Sequence, residues 1–150
     1  MKLSNADIRR IILAEHHELR KRLELVSVAL SAVEKGDAEA EADLVARINY
    51  FYDTFLKHIG HEERILEPVL KTIDAWGGVR TMAMDQEHAE QRAEIERLRA
   101  LNPRANLERY AFEIRTFIEA LYKDMAHEEA TCLDERVLRN DVIVIDGISG

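Results

Sequence analysis

A chain of 150 residues that is 33% charged and 47% apolar, with only 6 glycines and 2 prolines, suits one helical domain around a single hydrophobic core and argues against a disordered or β-rich chain. Its 21 basic residues against 29 acidic ones leave a net charge of -8, which repels a phosphate backbone, so no nucleic-acid partner is expected. The lone Cys132 has no partner for an internal disulfide, the N-terminal MKLSNADIRRIILAEHH is too charged for a signal peptide, and no apolar run approaches a bilayer crossing; a cytoplasmic protein without membrane contact is expected.

The first helix is predicted from a Ser4 or Asn5 cap to about Glu34, ending at Lys35-Gly36-Asp37, where glycine supplies a left-handed residue. Its inward stripe is Ile8, Ile12, His16, Leu19, Leu23, Val26, Leu30 and Val33. The second runs from about Asp37 to about Ile73 with the stripe Leu44, Ile48, Phe51, Phe55, His58, Glu62, Ile65 and Val69, and Pro68 marks a kink or an early end. Trp76-Gly77-Gly78 reads as the following turn. The third helix, about Val79 to Leu101, turns Met84, His88, Gln91, Ile95 and Leu98 inward, and Asn102-Pro103 separates it from the fourth. That last helix, about Pro103 to Arg139, carries Leu107, Tyr110, Ile114, Phe117, Leu121, Asp124 and Glu128 on its core side.

Short connections make consecutive helices antiparallel, so the expected fold is an all-α, up-down-up-down four-helix bundle over residues 1–139. The bundle repeats internally. AEHHELRKRLELV from Ala14 lines up with QEHAEQRAEIERL from Gln86, and HIGHEERIL from His58 with DMAHEEATC from Asp124, so one helical hairpin is used twice. Residues 140–150 form a tail with a short β-branched run, read as a docked arm, a partner edge or a disordered end.

Buried imidazoles and carboxylates need something to bind, either one another or a metal. Gly36 lies 20 residues after His16 and 22 before His58, which puts these two histidines at similar heights on neighbouring antiparallel helices. The converging set is His16, His58, Glu62, His88, Asp124 and Glu128, and pairs four apart such as His58 with Glu62 can bind one ion and bridge to a second. Imidazole and carboxylate together favour iron, with manganese and zinc as alternatives. His17 is the alternative to His16, and His127 the substitute if Asp124 does not bind. Glu63 and Glu129 read as outward groups, solvated or steadying a ligand imidazole.

The segments EHHEL, KHIGHEERILEP, QEHAEQ and DMAHEEAT resemble the hemerythrin-like HHE cation-binding family across about residues 6–138. The resemblance implies a non-haem di-iron centre with His16, His58 and His88 as terminal ligands and Glu62 and Glu128 as bridging carboxylates. Four residues before the last glutamate the family usually has a histidine, and this chain has Asp124. At the spacing where oxygen carriers have a second histidine on the third helix, Arg92 follows His88, so the chain is more similar to the iron-centre repair and nitric-oxide-responsive branch. The expected function is sensing or handling oxygen, nitric oxide or iron. The alternative is a non-enzymatic regulatory or interaction bundle whose polar centre is degenerate, holds one ion, or is a structural ion pair involving Arg92.

Overall fold

The computed structural model describes residues 2–139, and among these every regular element is helical. Helix α1 spans Asn5–Glu34, α2 Glu41–Ile65, α3 Glu67–Ile73, α4 Gly77–Arg99 and α5 Leu107–Thr131, with a 3-10 turn at Ala38–Ala40. The tail at 140–150 lies outside the described residues.

Ser4 starts α1 through a reciprocal capping box. Its hydroxyl accepts the Asp7 amide at 3.1 Å while the Asp7 carboxylate accepts the Ser4 amide at 3.4 Å. At the other end Gly36 adopts φ 97°, and the amides of Gly36 and Asp37 donate back to the carbonyls of Val33 and Ala32, both at 3.0 Å. That turn needs a residue without a Cβ.

The predicted second helix is divided at Leu66. Pro68 has no amide to donate to the carbonyl one turn earlier, so α2 stops and α3 begins with this proline in its first turn. The break changes which side chains face inward: Ile65 and Val69, expected in the core, are half-buried, whereas Leu66 and Leu70 are fully buried. Helix α4 starts at Gly77, inside the expected turn. A Cβ on Gly77 would stand 2.1 Å from the Leu70 carbonyl oxygen, so the close return of the chain from α3 requires glycine there.

Helix α5 is shorter than predicted at both ends. Asn106 caps it, its side chain accepting the Arg109 amide at 3.0 Å, while Pro103 stays in the preceding turn. Beyond Thr131 the Asp134 carboxylate accepts the Arg136 amide at 2.8 Å, a local bond that competes with helix, and Leu133 and Leu138 fold onto the core instead.

Helix α1 packs against α2 and α5, and α4 packs against α2 and α3. The apolar interior falls into two clusters. One, including Leu19, Leu23, Phe51, Tyr52, Ile59, Ile95, Phe117 and Met125, fills most of the length; the other joins Ile8, Ile12, Leu66, Leu70, Met84, Cys132, Leu133 and Leu138. Each fully buried large side chain among them contributes about 1.5–3 kcal/mol relative to exposure. No helix among the described residues is long and apolar enough to cross a membrane.

Candidate metal centre

A polar layer separates the two apolar clusters, and every long helix contributes to it where polar residues interrupt its stripe, α2 and α4 by two each (His58 and Glu62, His88 and Gln91). His16 comes between Ile12 and Leu19 on α1, Glu62 between Ile59 and Leu66 at the end of α2, His88 between Met84 and Ile95 on α4, and Glu128 between Met125 and Cys132 at the end of α5. His16, Glu62 and His88 are each 1% exposed, and His58 and Glu128 are also buried.

Glu62 is the hub. Its Oε1 lies 3.2 Å from His58 Nε2 and 3.3 Å from His88 Nε2, and its Oε2 lies 3.8 Å from His16 Nε2. Glu128 approaches from the far side, with Oε1 3.0 Å from His16 Nε2. The rings of His16 and His58 have centroids 4.9 Å apart, in line with the similar heights expected from counting residues. One ligand atom from each of His16, His58, Glu62 and Glu128 lies within 4.8 Å of the others.

Each imidazole turns its second nitrogen outward to a carboxylate. His16 Nδ1 donates to Glu129 at 2.7 Å, His58 Nδ1 to Glu15 at 2.8 Å and His88 Nδ1 to Glu63 at 2.9 Å. An ionised carboxylate only accepts, so each Nδ1 carries a proton, and Nε2, which points to the interior, offers a lone pair to a cation once it gives up its own proton. The outer carboxylates are themselves held: Arg20 grips Glu129 through two bonds of 2.7 and 2.9 Å, Arg92 grips Glu63 at 2.8 and 2.6 Å, and His61 donates to Glu15. Arg92 therefore pairs with an outer carboxylate and not with a core one.

Asp124 is half-buried and accepts from the Gln91 amide at 3.1 Å, while Met125 takes the fully buried position beside it. It nonetheless lines a small cavity of about 10 Å³ together with His16, His58, Glu62, His88 and Glu128, and Glu87 lines the same cavity. His127 is exposed and borders an outer cleft, and His17 is exposed as well. Tyr52, Tyr110 and Met84 are buried, whereas Met82 and Tyr50 are exposed.

The electrostatics show what the cavity lacks. Burial pulls the His16 imidazole down, but Glu128, Glu62 and Glu129 together raise it to about 10; for His58 burial is likewise outweighed, by Glu15 and Glu62, giving about 9. Burial and the neighbouring Glu62 push Glu128 upward, whereas Glu62, despite burial, is held well below the carboxylate range by Glu128 and the three histidines. Burial and then Asp124 push Glu87 up to about 7. Protons are shared because negative charge is crowded. Four buried atoms at this place, Glu62 Oε2, His88 Nε2, Gln91 Oε1 and Glu128 Oε1, make no hydrogen bond. Imidazole and carboxylate atoms left without partners and converging in a buried layer are the donor set a cation requires, and these residues fit one.

Glu15, Arg20 and Glu87 escaped the reading of stripes because they lie off the apolar faces. The internal repeat held the signal: Glu-His pairs at 15–16 and 87–88, and arginines four residues after each histidine at 20 and 92.

The curated proteins and the solved structures compared with this chain gave no match. The profile of the hemerythrin HHE cation-binding domain does match, over residues 7–134, and takes in all of the polar layer. Buried histidines and glutamates drawn from α1, α2, α4 and α5, together with that match over most of the chain, lead to one assignment: the chain belongs to the hemerythrin HHE cation-binding family.

Proposed function

We propose that the protein holds a non-haem di-iron centre in the cytoplasm and uses it to sense or handle oxygen, nitric oxide or iron. In this reading α1, α2, α4 and α5 run up-down-up-down, and His16, His58, Glu62, His88, Asp124 and Glu128 would hold the metals, with His16 and His58 on one side and His88 and Asp124 on the other. The observation that carries it is the cluster of buried, unbonded donor atoms, Glu62 Oε2, His88 Nε2 and Glu128 Oε1, aimed at one cavity.

Iron bound there would supply exchangeable coordination positions and reversible redox chemistry. The protein's own residues do the rest. Nδ1 bonds to Glu129, Glu15 and Glu63 fix the ring orientations and keep Nε2 free. Ile12 and Leu66 on one side and Ile59 and Met125 on the other exclude bulk water. The seam between α4 and α5 offers entry to a small diatomic molecule: a cleft of about 480 Å³, walled by Trp76, Val79 and Met84, shares Glu87 and Glu128 with the cavity.

A second reading, a single ion in a regulatory bundle, is favoured by the compact grouping of His16, His58, Glu62 and Glu128 and by Asp124 standing where the family has histidine. Metal analysis of protein purified without added metal, with an optical spectrum in air, separates the two. Two irons per chain with an oxo-bridge absorption band support the di-iron centre; one ion per chain supports the second reading; a stable metal-free protein that takes up no iron overturns both.

A further inference from the structure

The outer network has a twofold repetition that fails at one place. Arg20–Glu129–His16 and Arg92–Glu63–His88 are the same arrangement in the two halves, with matching bidentate guanidinium contacts. In the first half Glu15, one residue before His16, accepts from both His58 and His61. Its counterpart is Glu87, one residue before His88, and the counterparts of His58 and His61 are Asp124 and His127. An ionised Asp124 has no proton to donate, and His127 is exposed on the outer cleft.

Glu87 has thus lost both donors that occupy Glu15. Among the described residues it forms no ion pair, and its contact is a long one of 3.5 Å from the Gln91 amide, which is shared with Asp124. Yet it stays half-buried and lines the cavity beside His88, Gln91 and Asp124. Two side chains there are more than nine-tenths buried and carry an atom without a hydrogen bond: His88 at Nε2 and Gln91 at Oε1. Two carboxylates and an imidazole nitrogen without a hydrogen bond face one space, with no lysine or arginine among the described residues paired to either Glu87 or Asp124, an arrangement that calls for a cation.

We propose that Glu87 is a ligand, beside Asp124, for a divalent cation at the position headed by His88, making up for the imidazole that position 124 lacks. The assignment rests on the di-metal reading above. Where Glu15 orients a ligand from outside, the same carboxylate in the second half is released from that task because its histidine is gone.

The test is anaerobic equilibrium dialysis of the metal-free protein against ferrous iron, counting bound ions per chain, with far-UV circular dichroism as the folding check. Glu87 has no cationic partner to lose, so Glu87→Gln and the apolar, similarly sized Glu87→Met leave the helices intact. Wild type is expected to bind two ions, and both variants to keep the first while weakening the second tenfold or more. Adding Asp124→His to Glu87→Gln restores the imidazole and brings the second ion back. Equal second-ion affinity in wild type and the Glu87 variants overturns the assignment while leaving two metals in place; a loss that Asp124→His does not rescue also overturns it, since Glu87 then balances charge only. A wild type that binds fewer than two ions overturns the di-metal reading itself.

Discussion

Replacing Glu62 by glutamine removes one negative charge and one metal-accepting oxygen at the point where three imidazoles meet. Nε2 of His58, His88 and His16 surround its carboxylate at 3.2, 3.3 and 3.8 Å, so an ion held between these rings also meets Glu62. Loss of a group that only orients a ligand weakens metal binding by about 10–100-fold, so loss of Glu62 costs at least about 100-fold. At a free metal concentration about 100 times the wild-type dissociation constant, binding stabilises wild type by about 2.7 kcal/mol, while a variant weakened 100-fold gains only about 0.4 kcal/mol. For a domain of this size that is a rise in melting temperature of about 5–11 °C against about 1–2 °C. Thermal melts of each protein with and without ferrous iron, recorded anaerobically, give the increment, and comparing each variant with its own metal-free form cancels any change in intrinsic stability. Equal increments in wild type and Glu62→Gln would refute the placement of metal at this hub.

Three further outcomes follow from the same contacts. His16 and His58 have folded values of about 10 and about 9, above the free histidine value of 6.5, so the stability they lend is complete below about pH 6.5 and is lost as pH rises through those values. Melts of metal-free protein should fall steadily over that window, and metal-loaded protein, whose ligands carry no such protons, should not. Arg20 touches the centre only through Glu129 and is partly exposed, so Arg20→Ala should lower metal affinity about tenfold in a dialysis titration while changing metal-free stability by less than about 1 kcal/mol. Gly77→Ala, which forces a Cβ to 2.1 Å from the Leu70 carbonyl, should cost about 1–3 kcal/mol in denaturant unfolding with little change in metal affinity.

His16, His58, Glu62, His88 and Glu128 were readable in the sequence because each replaces one apolar residue in a stripe of threes and fours, and a helix cannot turn one stripe position away without moving its neighbours. Asp124 was ambiguous for the same reason. From Leu121 to Glu128 the stripe can pass through 124 or 125, and Met125, which is apolar, took the deeper place. Helix ends were read well at the Ser4 capping box and at Gly36, where a strong local signal stands alone. They were misread where competing signals stand close together, as at Pro103 and Asn106, and where the Asp134 carboxylate takes the Arg136 amide. Glu63 and Glu129 were open to an orienting role in the sequence, but Glu15 acts on a histidine 43 residues away, so its role depends on which helices become neighbours, and periodicity within one helix carries no information about that.

The charge count around the cavity explains why protons cluster there and predicts what a metal does to them. The inner carboxylates are Glu62, Glu128, Asp124 and Glu87; the outer Glu129 and Glu63 are matched by Arg20 and Arg92, and the outer Glu15 is held by His61 as well as His58. Four inner negative charges are neutralised by two divalent ions, with the three histidines neutral. Without metal the same charge is offset by protons, which is why His16 and His58 stay protonated well above 6.5 and why Glu128 and Glu87 are pushed up. Metal binding must therefore expel protons. In weakly buffered solution at pH 7, ferrous iron added anaerobically should release more than one proton per chain, and Glu87→Gln should release fewer. Binding without acidification would mean that the metal sits away from these groups, and the layer between the two apolar clusters would then be a network of ion pairs alone.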